Sequence, residues 1–260
     1  MINDIQWIDS HAHLCEDNFN DDIDNVILRA KAANIVRILV ITCGLDQVDK
    51  ALALKKRYPM IDLALGLHPE DADDVTDQML EKLDRYLVSN EFIAVGEIGL
   101  DHYWRKDNKD KQRELFIAQI ALANKHELPI LVHSREASQD TYQILKENPV
   151  KRNGIMHCYS GSVEMAKEYV KLGYYISLAG PLTFKNAVNP VEVAKGIDIN
   201  NLFIETDSPF MAPVPMRGKR NEPAFVAHVG CKLAEVKDID SLLLSKQMLK
   251  NYKDLFGVNV

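Results

Sequence analysis

A (β/α)₈ barrel, the α/β class known as the TIM barrel, is the fold this sequence predicts, and three observations point to it. The 260 residues suit one complete barrel of about 250 residues. Eight short β-rich apolar runs alternate with amphipathic stretches along the whole chain, and that alternation means parallel strands joined by crossover helices. No Gly-rich turn follows the first run, as a doubly wound nucleotide-binding sheet would normally require.

In order, the strand-like runs are Gln6–Asp9, Arg37–Thr42, Asp62–Leu67, Ile93–Ile98, Pro129–His133, Gly154–His157, Tyr174–Ser177 and Leu202–Thr206. Helical patterns lie between and after them at Ile23–Ala33, Val48–Arg57, Gln78–Leu87, Gln112–His126, Ser138–Lys146, Val163–Lys171, Val191–Lys195 and Pro223–Leu233. In the fourth helix Leu115, Ile117, Ile120, Leu122 and Ala123 recur roughly as one buried stripe requires. Tyr252–Phe256 belongs to a final helix expected across the barrel bottom. No linker, repeat or low-complexity segment interrupts the pattern, so residues 1–260 are expected to form one barrel domain.

Composition narrows the setting. With 47% hydrophobic and 27% charged residues the chain can bury an ordinary globular core. No apolar run approaches the ~18 residues of a membrane span. Residues 1–7 lack a basic, apolar leader pattern. Cys15, Cys43, Cys158 and Cys231 are scattered without a CxxC pair, so reduced thiols and a cytoplasmic location are expected. No coiled-coil pattern appears, which makes a monomer the expectation. The net charge of −7 argues against tight binding of long duplex DNA, because that affinity comes from basic faces releasing counterions. An acidic chain can still hold a strand end through bound cations.

Barrel enzymes build their sites at the C-terminal ends of the strands. Here those ends read Asp9-Ser10-His11-Ala12-His13, Gly66-Leu67-His68-Pro69, Gly96-Glu97-Ile98-Gly99-Leu100-Asp101, His133-Ser134-Arg135, His157-Cys158-Tyr159-Ser160-Gly161 and Glu205-Thr206-Asp207-Ser208-Pro209. His-x-His projects both rings to one side of a strand, a geometry suited to a divalent cation. With Glu97, His133, His157 and Asp207 at similar depths, six donors exceed what one tetrahedral ion needs. The surplus points to two divalent metal ions with Glu97 as the shared carboxylate.

These motifs, together with Pro215-Met216-Arg217-Gly218-Lys219-Arg220-Asn221-Glu222-Pro223, make the chain resemble the TatD family of metal-dependent deoxyribonucleases among the amidohydrolase-like barrels. The resemblance implies one metal on His11, His13, Glu97 and Asp207 and a second on Glu97, His133 and His157, with Mg²⁺, Mn²⁺ or Zn²⁺ as candidates. It also implies hydrolysis of DNA, commonly as a 3′-to-5′ exonuclease. One departure is His102, where the family usually has Tyr or Phe after the aspartate; this residue is a mouth contact or a plain loop position.

Two cations roughly 3.5–4 Å apart would clamp the attacking and leaving oxygens of an in-line displacement. Asp207 would then orient or deprotonate the attacking water, with Glu97 and His68 as the other catalytic candidates. His68 is assigned to a phosphate oxygen or the leaving group, against a plain hydrogen bond in the rim. Arg135 is placed on a phosphate, against an ion pair with Glu136 or Asp101. Arg217, Lys219 and Arg220 would steer a nucleic-acid end, against ordinary solvated loop charge. Asp101 and Glu205 are candidate partners for ligand histidines. Tyr159 and Phe210 are candidates to stack on a terminal base, while Cys158 is expected to pack facing away from His157. The expected substrate is a DNA strand end, single-stranded or frayed, with RNA possible and no membrane. The rival reaction class is hydrolysis of a carboxylic ester or amide, as by a lactonase or an aminoacyl-tRNA deacylase, since the same barrel polarises either group.

Overall fold

The computed structural model describes residues 5–259, so the first four residues of the segment read above as leader-free lie outside the described residues. Eight strands, β1 (Trp7–Ala12), β2 (Ile35–Thr42), β3 (Ile61–Leu65), β4 (Ala94–Asp101), β5 (Ile130–Arg135), β6 (Gly154–Met156), β7 (Tyr175–Leu178) and β8 (Leu202–Ile204), form one sheet in sequence order. Every described pairing is parallel. A parallel bridge between Ala12 and Ser208, with Asp207 N donating to His11 O and His13 N to Ser208 O, brings β8 back to β1 and nearly closes the barrel. Among the described residues no helix is long and apolar enough to cross a membrane.

The helices are α1 (Ile23–Ala32), α2 (Val48–Arg57), α3 (Asp77–Leu87), α4 (Lys109–His126), α5 (Ser138–Glu147), α6 (Val163–Lys171), α7 (Asn189–Gly196), α8 (Val226–Lys237) and α9 (Ser241–Phe256). α2 and α6 fall where the periodicity placed them. α8 starts later than expected because Pro223–Phe225 form a separate 3₁₀ turn. α9 is sixteen residues long and spans the strand starts: Ser245 Oγ bonds the Gln6 backbone and Asn251 Nδ2 donates to Leu202 O. Its Tyr252 and Phe256 pack on Phe203 of β8. Each such apolar side chain contributes roughly 1.5–3 kcal/mol by leaving water.

Strand lengths differ from the sequence reading at the end that matters. β3, β6 and β8 stop short of Leu67, His157 and Thr206 because buried side chains replace the ladder there. Gln119 of α4 accepts from Leu67 N (2.8 Å) and donates to Leu67 O (2.9 Å). Glu205 Oε1 accepts from Cys158 N at 2.8 Å, and Asp9 accepts from Thr206 N (2.8 Å) and Thr206 Oγ1 (2.5 Å). β4 and β5 instead run three and two residues past their expected ends, paired Gly99 to His133 and Asp101 to Arg135. Gln112 then closes β4, accepting from Asp101 N and donating to Asp101 O. The α4 stripe is therefore Gln112, Leu115, Phe116, Gln119, Ile120 and Ala123, with Ile117 and Leu122 only partly buried. Buried amides belong in it because they satisfy backbone groups that would otherwise be orphaned.

Candidate metal centre

The strand ends bring six donors into one cluster. His11 and His13 project from β1 to the same side, their Nε2 atoms 3.2 Å apart. Glu97, in the middle of β4, presents its two carboxylate oxygens to different neighbours. Oε2 lies 3.2 Å from His11 Nε2 and 3.6 Å from His13 Nε2, whereas Oε1 lies 2.6 Å from His133 Nδ1 and 2.8 Å from His157 Nε2. Asp207 Oδ1 stands 3.2 Å from His13 Nε2 and 3.9 Å from His11 Nε2. The His11 and His157 rings stack at 3.9 Å between centroids. His11 is fully buried, and Glu97, Asp207 and His157 are nearly so.

Local backbone explains the convergence. Gly99 pairs with His133 at φ +144°, and a Cβ there would fall on the His133 carbonyl oxygen. Only glycine lets the two strands approach this closely. Asp207 holds the left-handed region at φ +55°, which aspartate tolerates better than most residues. Its amide donates to His11 O and its carbonyl accepts from Phe210 N, both at 2.9 Å.

Three of the four ligand imidazoles have a partner on their outer nitrogen, while His11 Nδ1 is buried without one among the described residues. His157 Nδ1 faces Glu205 Oε1 at 3.0 Å, His133 Nε2 faces Asp101 Oδ2 at 3.0 Å, and His13 Nδ1 faces Cys43 Sγ at 3.6 Å. Protons on those outward nitrogens leave the inward ones as lone pairs, directed at carboxylate oxygens that are also acceptors. Such a concentration of acceptors without donors suits divalent cations: two imidazole nitrogens meet one Glu97 oxygen on each side, with Asp207 Oδ1 added beside His11 and His13, a mixed set that borderline divalent cations such as Zn²⁺ accept. Burial works to raise the Glu97 carboxyl, but His157 and His11 hold it well below the usual carboxylate range. Burial likewise opposes charge on His157, yet Glu97 and Glu205 raise it well above its ordinary value. The field that favours protons on these rings would equally draw in cations.

His68, anticipated beside the cluster, is there: Nε2 lies 3.7 Å from Glu97 Oε1. Its Nδ1 accepts from Glu70 N at 3.3 Å, so the proton of the neutral ring sits on Nε2, facing the cluster. Arg135 is exposed at the rim; among the described residues it pairs with neither Glu136 nor Asp101, and its guanidinium lies 4.3 Å from the Tyr103 ring centre. Arg217 does not line the cavities described below; it lies over the Phe184 ring at 4.0 Å. Arg220 forks onto Asp22 and is a structural tie, correcting its reading as a steering charge.

The cluster opens into a cavity of about 990 Å³ between the β1–β4 ends, and a second of about 260 Å³ adjoins it over β5–β7. Glu16, Asp46, Glu70, Asp71 and Asp74 line the larger one, against Arg135 as the one arginine or lysine there among the described residues. Cys158 lines the smaller one with its thiol 3.9 Å from Met211 Sδ, so it faces the cavity and does not pack away from it. Tyr159 is buried with its hydroxyl donating to Ser162 O, which fixes it as wall. His102 is buried, 3.7 Å from Asp140.

Three contributors escaped the sequence reading. Asp9 shares the His11 and His13 face of β1 and locks β8 to it; its place two residues before His11 was the available signal. Cys43 directly follows β2, a strand for which the sequence pattern offers no site residue. Trp104 lines the larger cavity, and nothing local distinguishes it from a surface aromatic.

Comparison with known proteins follows the same lines. The family model described as TatD related DNase matches residues 8–257. A Bacillus subtilis protein named as the uncharacterized metal-dependent hydrolase YabD is 42% identical over 96% of this chain and 99% of its own length. YcfH of Escherichia coli, named likewise, is 33% identical over 97% of this chain and 96% of its own. The crystal structure of YjjV, a TatD homologue from Escherichia coli, superposes with a TM-score of 0.93 at 32% identity, covering 99% of this chain and all of that one.

Proposed function

The chain belongs to the TatD-related DNase family and is a metal-dependent hydrolase, and on that premise we propose that it removes nucleotides from the 3′ end of single-stranded or frayed DNA, using two divalent cations. The observation that carries the reading is the division of Glu97, with Oε2 toward His11 and His13 and Oε1 toward His133 and His157. A carboxylate with separate donor sets on its two oxygens is suited to bridge a pair of ions.

In this reading His11, His13, Glu97 and Asp207 hold one cation, and Glu97, His133 and His157 the other. Divalent cations bound by these residues would supply the positive charge that lowers the pKa of a nearby water from about 15.7 to about 7 and offsets charge on the phosphoryl oxygens. Asp207, with Oδ1 already at the cluster, orients the attacking water and accepts its proton. His68, whose Nδ1 is engaged by Glu70 N, keeps its proton and donates a hydrogen bond from Nε2–H to the leaving oxygen, which takes its proton from solvent. Arg135, free of carboxylate partners among the described residues, grips a phosphate from the rim. Glu205 and Asp101 hold the His157 and His133 rings in the tautomers that face inward.

The acidic lining of the larger cavity supports a strand end over a continuous duplex, because a polyanion crossing Glu70, Asp71 and Asp74 would be repelled. The decisive experiment strips the protein of metal and restores Mg²⁺, Mn²⁺ or Zn²⁺ separately. Each form is then assayed on end-labelled single-stranded DNA beside simple carboxylic esters, with Asp207→Asn as control. Stepwise shortening that Asp207→Asn abolishes is the expected result. Ester turnover with DNA left intact would overturn the reading.

A further inference from the structure

The barrel mouth carries aromatic surface that the core does not use. Trp104, just past β4, is 59% exposed, and Phe210, past β8, is 53% exposed. Three strands lie between β4 and β8 in the eight-stranded order, so the rings rise on opposite sides of the mouth. Both line the cavity that also exposes Glu97, His133, His157 and Asp207. Large apolar groups left in water beside such a cluster mark a binding surface.

Neither ring is loosely attached. Trp104 N donates to Asp101 Oδ1 at 2.7 Å, and Asp101 Oδ2 holds His133. Tyr103 meets Trp104 edge-on at 4.7 Å, and the Arg135 guanidinium lies 5.4 Å from the Trp104 ring. On the far side Phe210 N donates to Asp207 O, and the Phe210 ring stands 6.0 Å from the His13 ring. The Trp104 backbone is thus tied through Asp101 to His133 and the Phe210 backbone directly to Asp207, which places both residues close to a phosphate held at the cluster.

We propose that Trp104 and Phe210 are stacking platforms for unpaired nucleobases on either side of the phosphate held at the cluster. This subsite rests on the nuclease reading above and adds to it what recognises the strand. The charge distribution requires such a device. Among the described residues Arg135 is the one arginine or lysine lining the larger cavity, and five carboxylates outside the cluster line it as well, so the phosphate backbone gains little attraction there. Stacking supplies affinity independently of charge, and every base offers a π face whatever the sequence. Bases within a duplex already have both faces covered, so the platforms select unpaired ends.

The chain has two tryptophans. Trp7 is buried against Gly230, so quenching of exposed emission reports Trp104. The Asp207→Asn protein in Mg²⁺ is titrated with a thymidine hexanucleotide, with a blunt hairpin, and with a hexamer of abasic sugar-phosphates. Quenching by the thymidine hexamer alone is expected. By anisotropy of labelled hexamer, Trp104→Ala and Phe210→Ala should each bind roughly 5- to 150-fold more weakly. Trp104→Phe should restore most of the affinity, and none of these variants should change binding of the abasic strand. Equal affinity for abasic and thymidine strands, or normal binding by both alanine variants, overturns the proposal. If the parent protein nonetheless shortens end-labelled DNA, only the stacking subsite is wrong. If it neither binds nor shortens any DNA, the nuclease reading falls with it.

Discussion

Glu205 Oε1 lies 3.0 Å from His157 Nδ1 and 2.8 Å from the amide of the next residue, Cys158, so one fully buried carboxylate fixes both the ring and the backbone that carries it. Its other oxygen has no hydrogen-bond partner among the described residues. A buried carboxylate in that state is costly unless positive charge lies close by, which ties its value to the cluster it serves.

Glu205→Gln should therefore weaken divalent-metal affinity by about 10–100-fold, the usual effect of removing an outer partner of a ligating histidine. The amide oxygen can still accept from Cys158 N, so the fold should survive. Calorimetric titration of the metal-stripped protein measures the affinity directly. Activity should recover when excess metal is added. Unchanged affinity would mean that Glu205 serves the β6–β8 backbone alone.

Gly99→Ala tests the close approach of β4 and β5. The position has φ +144°, and the new Cβ would meet the His133 carbonyl oxygen, an atom of backbone that cannot swing aside. Forcing a side chain into such a conformation costs on the order of 1–3 kcal/mol. Thermal melting should show that loss. Because the displaced strand carries His133, metal affinity should fall as well. A variant that loses stability while binding metal normally would show that β5 relaxes elsewhere.

Much of this was legible in the sequence, for identifiable reasons. Strand–helix alternation and histidines at strand ends are local patterns, and His11, His13, Glu97, His133, His157 and Asp207 do converge. What stayed hidden depends on distant pairs. Gln119 replaces the ladder at Leu67 from 52 positions away, and Asp9 bonds Thr206 from 197 away. No periodicity records such partners. Arg220 read as free charge because its fork onto Asp22 spans 198 positions, and Cys158 read as packing because alternation along β6 fails where the strand ends at Met156.

Asp62 provides a pH test away from the cluster. Burial raises its carboxyl above the ordinary value, against the pull of the Tyr252 hydroxyl at 2.9 Å and of Arg37. With the folded pKa above the unfolded one, its stabilising contribution is complete below the unfolded pKa of about 3.9 and is lost as pH rises through the folded pKa. Asp62→Asn keeps an oxygen for Tyr252 and never ionises. It should melt higher than the parent at neutral pH, with the gap closing as pH falls toward about 4. A lower melting temperature at neutral pH would show that Arg37, 3.7 Å from Asp62 Oδ1, outweighs the burial.

Two arginines at the same rim should behave oppositely. Arg135 is exposed, stacks on Tyr103 and has no carboxylate partner among the described residues. Its replacement by alanine should raise KM for single-stranded DNA while changing stability by no more than about 0.5 kcal/mol, as for an ordinary surface change. Arg220 donates to Asp22 and to Asn18 O and lies 4.8 Å from the Phe19 ring centre. Arg220→Ala should lower stability by about 0.2–1 kcal/mol, since the pair is partly exposed to solvent, and should leave KM unchanged. Melting and steady-state kinetics on the two variants side by side separate the roles. If Arg220→Ala raised KM as much as Arg135→Ala, the loop after β8 would be in contact with the strand, and its tie to Asp22 would not be its main role.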